Sequence, residues 1–429
     1  MKKLFTLIVS ALLAVTCCFG LTACGPTGDV VNPYDGIVQV ESVADLKVGL
    51  ICLHDENSTY DKNFLDAFDE ACDAMGIVDA NRIIKTNIPE SIACYEAAAD
   101  LADQGCDYVF ANSFGHESYI LKAAKEFPEV QFSHATGTTA HTEERGNFHN
   151  AFASIYEGRY LAGVAAGLKL IEMNAAGEIE ANNLDNGKIK VGYVGAFTYA
   201  EVISGYTSWF LGLRNTLRAA DLDAVLQVQF TGSWYDELLE KSAAETLIGN
   251  GCALISQHAD SWGAPTACEA AGVPNVSYNG STASRCPNTF IVSSRINWAP
   301  YYTYCFNQLL AGEEIALDYT GTIADGSVVL TDVGTAAAVG TQGVIDAVKA
   351  TIVAGQLEIF DLDTFTVNNG ETLADDTKAD VDTDAEFAPD TVVIENNLTT
   401  GKYYAESKFR SAPYFNLEID GITRLNAKY

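Results

Sequence analysis

The sequence predicts an α/β protein of two similar lobes, each a parallel sheet flanked by helices, with a ligand cleft between the lobes. Three observations predict it. Residues 188–212 (KIKVGYVGAFTYAEVISGYTSWFLG) pass from a short apolar run, through a small-residue loop, into a helical stripe. That stripe carries Val202, Ile203, Tyr206, Trp209, Phe210 and Leu213. The same pattern occurs at residues 47–76 (KVGLICLHDENSTYDKNFLDAFDEACDAMG), and both copies hold Lys-Val-Gly in the strand or at its start. Later pieces match in the same order: 97–112 (AAADLADQGCDYVFAN) with 243–257 (AAETLIGNGCALISQ), then 123–137 with 267–280. Similarity at this separation is too long for a short solenoid repeat and reads as two related lobes. In such sheets, ligands favour the loops at the carboxyl ends of the strands.

Taken in order, the chain opens on a targeting segment. Lys2 and Lys3 precede an apolar run that ends in Leu21-Thr22-Ala23-Cys24. A basic start, a short apolar core and small residues before the cut describe a signal peptide, expected over residues 1–23. The Leu-Thr-Ala-Cys step resembles a bacterial lipobox, which implies a lipid on Cys24. Residues 24–46 hold Gly25, Pro26, Gly28 and Pro33 and read as a linker from lipid to body. No later stretch approaches the ~20 apolar residues of a membrane span.

The first lobe then begins at Lys47, with further strands expected at 82–87, 107–112, 130–135 and 147–154. Residues 156–168 (YEGRYLAGVAAGL) read as a closely packing helix. The second lobe begins at Lys188, with strands near 225–231, 253–257, 275–278 and 290–294, and a last helix at 344–355. Lobe 1 is expected to comprise 47–153 with 286–322, and lobe 2 to comprise 154–285 with 323–359. The crossings then fall near Ser154, Arg285 and Ile323. Residues 360–429 form an extension without an assigned role.

Composition bounds the function. The 429 residues are 48% hydrophobic, enough core for two domains. A net charge of −32 gives a surface that repels nucleic acid. Cys52, Cys72, Cys94, Cys106, Cys252, Cys268, Cys286 and Cys305 contain no CxxC pair, so metal and thioredoxin-like chemistry lack a signature. We expect them mostly as reduced thiols, several of them in buried strands. No phosphate loop, GxGxxG, HExxH or GxSxG motif occurs. The sequence therefore predicts no catalytic set, no cofactor and no metal.

What recurs is aromatic and polar residues at predicted strand ends. The first lobe offers Tyr60, Asp61, Asn63, Phe64, Asn112 and Phe114. The second offers Phe197, Glu201, Trp234, Gln257, His258, Asp260 and Asn279, and the returning segment adds Asn297 and Trp298. Rings stack on a flat molecule while amides and carboxylates pair with its polar edge. Base stacking is worth roughly 1–3 kcal/mol per base, and each desolvated edge group needs a partner. A purine fits such a lining. Other readings stay open residue by residue. Phe68 and Phe210, mid-helix, read as core. Phe64, in a first helical turn, fits core or cleft. His258 could satisfy backbone, and Asp260 could cap the following helix.

At these residues the sequence resembles the basic membrane lipoprotein family, the substrate-binding proteins of bacterial ABC importers. The matching pieces are 156–168, 191–212 (VGYVGAFTYAEVISGYTSWFLG), 234–261 (WYDELLEKSAAETLIGNGCALISQHADS) and 296–302 (INWAPYY). The resemblance implies a hinged type I periplasmic-binding-protein fold that closes on a purine base or nucleoside, stacked between one ring from each lobe. Phe64 falls in the family's Asp-Lys-Ser-Phe-Asn stretch, here Asp61-Lys-Asn-Phe-Leu65. Leu65 replaces the usual Asn, and the strand-end Asp associated with ribose is not apparent near His134-Ala135. The implied partners are a small-molecule ligand, an ABC permease with its ATPase, and the membrane through Cys24, with no nucleic acid. The implied location is the extracytoplasmic face of a bacterial cell membrane. Rival readings are a surface receptor for another flat metabolite and a nucleoside hydrolase.

Overall fold

A computed structural model of the chain describes residues 39–381 and 388–429. The expected signal peptide, Cys24 and most of the linker lie outside the described residues.

Lobe 1 alternates strand and helix: β1 (Val48–Ile51), α1 (Thr59–Met75), β2 (Arg82–Lys85), α2 (Ile92–Asp103), β3 (Tyr108–Ala111), α3 (Glu117–Glu126), β4 (Gln131–Ala135), a short α4 (Ala140–Glu143) and β5 (Phe148–Ala153). The chain leaves through α5 (Ile155–Ala176), and lobe 2 follows with β6 (Leu184–Asp185), β7 (Lys188–Gly195), α6 (Ala200–Arg218), β8 (Ala224–Phe230), α7 (Glu237–Gly249), β9 (Ile255–Gln257), α8 (Gly263–Ala271), β10 (Asn275–Tyr278) and β11 (Phe290–Ile296). It returns to lobe 1 for α9 (Ala299–Ala311) and β12 (Asp318–Gly321), then to lobe 2 for β13 (Val328–Leu330) and α10 (Thr341–Val353).

The first sheet runs β12-β5-β4-β3-β1-β2, with every pairing parallel. The second runs β13-β11-β10-β9-β7-β8 and ends on a strand at Ile422–Arg424. Only β13, and β6 off the path, pair antiparallel in it. Parallel strands buried on both faces read as continuous apolar runs, and β1, β3 and β10 are buried throughout.

Local chemistry sets the helix ends that frame the cleft. Ser58 caps α1 by accepting from the Asp61 amide, and Gly76 stops it at φ 78°. Asp236 caps α7 by accepting from the amides of Leu238 and Leu239. Helices α5 and α6 approach so closely that a Cβ on Gly163 would lie 2.0 Å from the Trp209 carbonyl oxygen, and one on Gly212 2.1 Å from that of Tyr160. Only glycine allows that contact.

Three expected boundaries are corrected. The crossing does not fall at Arg285: β11 pairs in parallel with β10, Ser277 opposite Ser293, so the chain stays in the second sheet until Asn297. The expected linker does not run to residue 46, because Val40 and Leu46 are buried in the lobe 1 core and the Val40 amide donates to Leu309. Nor does the region after 360 stand apart, since Ile422–Arg424 pairs in parallel with β8. All eight described cysteines are free and buried.

Candidate functional site

The carboxyl ends of both sheets meet in a narrow cleft. Lobe 1 contributes Tyr60, Asp61 and Phe114; lobe 2 contributes Glu201, Trp234, His258 and Asp260. Leu53, His54, Ser113, Thr136 and Tyr278 complete the wall.

Asp61 stands in the first turn of α1, where backbone amides favour negative charge. Burial pushes its carboxyl up. The hydrogen bonds it accepts from His54, Asn112 and Ser58 outweigh burial and hold it below the usual range. The Asn112 amide reaches Asp61 Oδ1 at 2.7 Å and the His54 backbone amide at 3.0 Å. Asn112 also accepts from Leu53, so it positions Asp61 from β3. Tyr60 donates its hydroxyl to the Asn112 carbonyl at 2.6 Å, which leaves its ring on the wall.

Asp260 follows β9 and faces Asp61 from lobe 2. Burial, then the nearby carboxylates of Glu240, Asp61 and Glu201, push its pKa well above the usual value. Asn279 donates to its Oδ1 at 2.9 Å, and Asn63 of lobe 1 donates to Asn279 at 3.1 Å. Thr59 of lobe 1 donates its hydroxyl to the Asp260 carbonyl at 2.9 Å. These contacts tie the two lobes together, with Asn63 and Asn279 behind the wall.

His258 lies beneath Trp234. Its Nδ1 accepts from Arg159 at 2.9 Å, which leaves the proton on Nε2, 3.4 Å from Glu201 Oε1. Burial and the Arg159 guanidinium push its pKa down to about 4. Arg159 also donates to the Gln257 carbonyl and lies 3.2 Å over the Tyr278 ring. The Phe197 ring stacks on Tyr199 at 5.2 Å and meets Trp234 edge-on at 5.0 Å, so it braces Trp234. Phe114 of lobe 1 approaches Tyr199 at 5.7 Å.

Some expected residues lie elsewhere. Phe64 and Trp298 stack on each other at 4.5 Å and are 0% and 2% exposed, in the lobe 1 core. They are packing partners, not rings on opposite cleft faces: Trp298 precedes α9, and α9 packs against α1. Gln257 donates its amide to the Ala259 and Ser261 carbonyls and holds the turn after β9. Asn297 accepts from the Ala299 amide at the start of α9. Side chains alternate along a strand, so Gln257 and His258 point to opposite sides, and that period could have separated them. Tyr278 ends β10 on the wall, whereas Asn279, just past the strand at φ 63°, turns its amide to Asp260. Among the described residues, no group of His, Cys, Asp and Glu could hold a metal ion. Nor is any described helix long and apolar enough to cross a membrane.

Comparisons with known proteins agree with this architecture. A purine-binding protein of Brucella abortus is 30% identical over 260 residues, 60% of this chain and 67% of that protein. A candidate ABC transporter glucose-binding protein of Haloferax volcanii is 27% identical over 254 residues, and the match spans 59% of each chain. A solved solute-binding protein of an ABC transporter system from Conexibacter woesei is 23% identical, with a TM-score of 0.56, over 73% of this chain and 98% of that one. One from Aeropyrum pernix is 16% identical, with a TM-score of 0.58, over 73% and 92%. These solved structures establish the type I periplasmic-binding-protein fold. The family model described as ABC transporter substrate-binding protein PnrA-like matches residues 49–359, most of the chain, which therefore belongs to the Bmp family of ABC transporter substrate-binding proteins.

Proposed function

We propose that the protein is a lipid-anchored solute-binding protein that holds a purine base or nucleoside between its lobes and delivers it to an ABC permease and its ATPase. The observation that carries this reading is the cleft wall: rings of Tyr60 and Phe114 from one lobe and Trp234 from the other, with Asp61 and Asp260 at the edges. Rings from opposite lobes can clamp a flat molecule, each stacked contact contributing roughly 1–3 kcal/mol. The two carboxyl groups are biased oppositely, Asp61 toward the ionised form and Asp260 toward the protonated form. Asp61 then accepts from a ring N–H, and Asp260 donates to a ring nitrogen or carbonyl. The Brucella relative's name supports the purine. The basic, apolar start and Leu-Thr-Ala-Cys24 support an anchor on the extracytoplasmic face.

A second reading is a sugar ligand. Three carboxyl groups in one cleft suit hydroxyl donors, and the Haloferax relative carries a glucose-binding name.

The test is a calorimetric titration of ligand-stripped protein with adenine, guanine, hypoxanthine, xanthine, their nucleosides, riboflavin and glucose. Tight binding confined to purines is expected. Binding of glucose alone would replace the purine reading by the sugar one.

A further inference from the structure

The region beyond residue 359, where the family match ends, is built onto lobe 2. Ile422–Arg424 adds a strand beside β8, and the Asn426 side chain pairs with both backbone groups of Phe230, at 2.7 and 2.9 Å. From α6, Arg214 donates to the carbonyls of Asp420 and Thr364 at 2.8 and 3.1 Å, and Ser204 donates to the Glu406 carboxylate. Phe415, fully buried, stacks on Phe360 at 4.5 Å.

Within this region the loop 405–414 is tied to itself. The Tyr414 hydroxyl donates to the Ala405 carbonyl and accepts from the amides of Lys408 and Phe409, at 3.2 and 3.4 Å. Arg410 donates to the carbonyls of Ala412 and Pro413, at 3.1 and 3.4 Å. A loop held in this way has little freedom left to lose when its tip meets a partner.

The tip meets one on the other lobe. The Ser411 amide donates to Asp318 Oδ2 of β12 at 2.7 Å, and both Ser411 and Ala412 are buried. From within lobe 1, His141 Nε2 reaches the same oxygen at 3.0 Å. The Asp318 carboxylate is only 7% exposed, and Arg410, on the same tip, places a positive charge near it. A hydrogen bond to an ionised carboxylate is about twice as strong as one between neutral groups. Asp318 also opens β12, whose other end, Gly321, leads into the crossing to lobe 2. The strand puts roughly 10 Å between Asp318 and that crossing. A hinge that turns at the crossing moves a group at that distance by several ångström, more than a hydrogen bond tolerates.

We infer that the loop 405–414 is an interlobe clasp: carried by lobe 2, it engages Asp318 of lobe 1 only while the lobes are together, and so holds the empty protein against opening. The covalent crossings let the lobes turn, whereas the clasp favours one end of that motion. It acts whatever ligand the cleft takes.

The test is a distance measurement on ligand-stripped protein, by pulsed electron resonance between spin labels at Glu70→Cys on α1 and Ser242→Cys on α7, both exposed positions. The eight described native cysteines are buried, so the labels go to the introduced ones. Asp318→Ala removes the acceptor and Ser411→Pro the donor, one on each lobe. Each is expected to lower the ratio of lobes together to lobes apart by about tenfold or more, the worth of one charge-assisted hydrogen bond. The double variant is expected to add little further. Melting curves check that each variant is folded, and if one fails to fold, the other carries the comparison. A wild type whose empty lobes lie apart overturns the inference, whatever the variants do. Folded variants with the wild-type distances overturn it as well. So does a shift in Asp318→Ala that folded Ser411→Pro lacks, which would confine Asp318 to the stability of lobe 1.

Discussion

Tyr60 and Phe64 stand one helix turn apart on α1 yet have opposite surroundings. Phe64 and Trp298 stack on each other in the dry core of lobe 1, with Phe110 5.7 Å from Phe64. Tyr60, four residues before Phe64, turns its ring to the cleft, where Trp234 looks across from lobe 2. The difference is one of partners. Phe64 is met by rings of its own lobe on its faces, whereas the Trp234 ring is braced edge-on by Phe197.

The comparison is sharpest in folding. Phe64→Ala is expected to cost about 3–5 kcal/mol of stability through the cavity it leaves. The fraction that stays folded should keep its ligand affinity. Paired denaturation and binding curves check this, and a large loss of affinity in folded Phe64→Ala protein would place that ring back in the site.

His258 probes the floor beneath Trp234. Its pKa is about 4 in the folded protein, mainly because it is buried and secondly because Arg159 is near, against about 6.5 when unfolded. A histidine depressed in this way contributes stability that is full above about pH 6.5 and is lost as pH falls toward the folded value. Between those limits the stability advantage of wild type over His258→Gln should shrink by up to about 3 kcal/mol. Urea midpoints at several pH values measure it. A difference independent of pH would mean that His258 is not held neutral.

Trp234→Ala should do the reverse of Phe64→Ala. It is expected to weaken the ligand by roughly 1–3 kcal/mol, tenfold or more, with little change in melting. Equal effects on affinity from both variants would erase the distinction between the two ring sets.

The smallest effect concerns His141, which reaches Asp318 Oδ2 at 3.0 Å, on the carboxylate that also accepts from Ser411. That hydrogen bond raises the His141 pKa despite partial burial. Its contribution is present below about pH 6.5 and lost as pH rises through the raised folded value. The imidazole is 43% exposed, so His141→Ala should cost under about 1 kcal/mol at acid pH and nothing at alkaline pH.

The sequence carried most of the strand and helix order because its periodicity changes sharply from strand to helix at residues 47–76 and 188–212. The step from β10 to β11 was not legible, because no helix separates them and the chain between them is polar on both sides of the crossing expected at Arg285. Asp61, Trp234 and Asp260 could be picked from strand-end position and residue type. The burial of Phe64 could not, since its partner Trp298 lies far away in sequence and meets it only through the packing of α9 on α1. The tie of the C-terminal region to lobe 1 was hidden for the same reason: Ser411 and Asp318 are 93 residues apart in sequence.

The most direct test of the central claim is titration of adenosine, guanosine and inosine into wild type and Trp234→Ala at matched folded concentrations. The interlobe cleft as a purine site predicts submicromolar Kd for at least one nucleoside in wild type, and about tenfold or greater weakening in the variant. The same Kd in both proteins, or no binding by folded wild type, would contradict it.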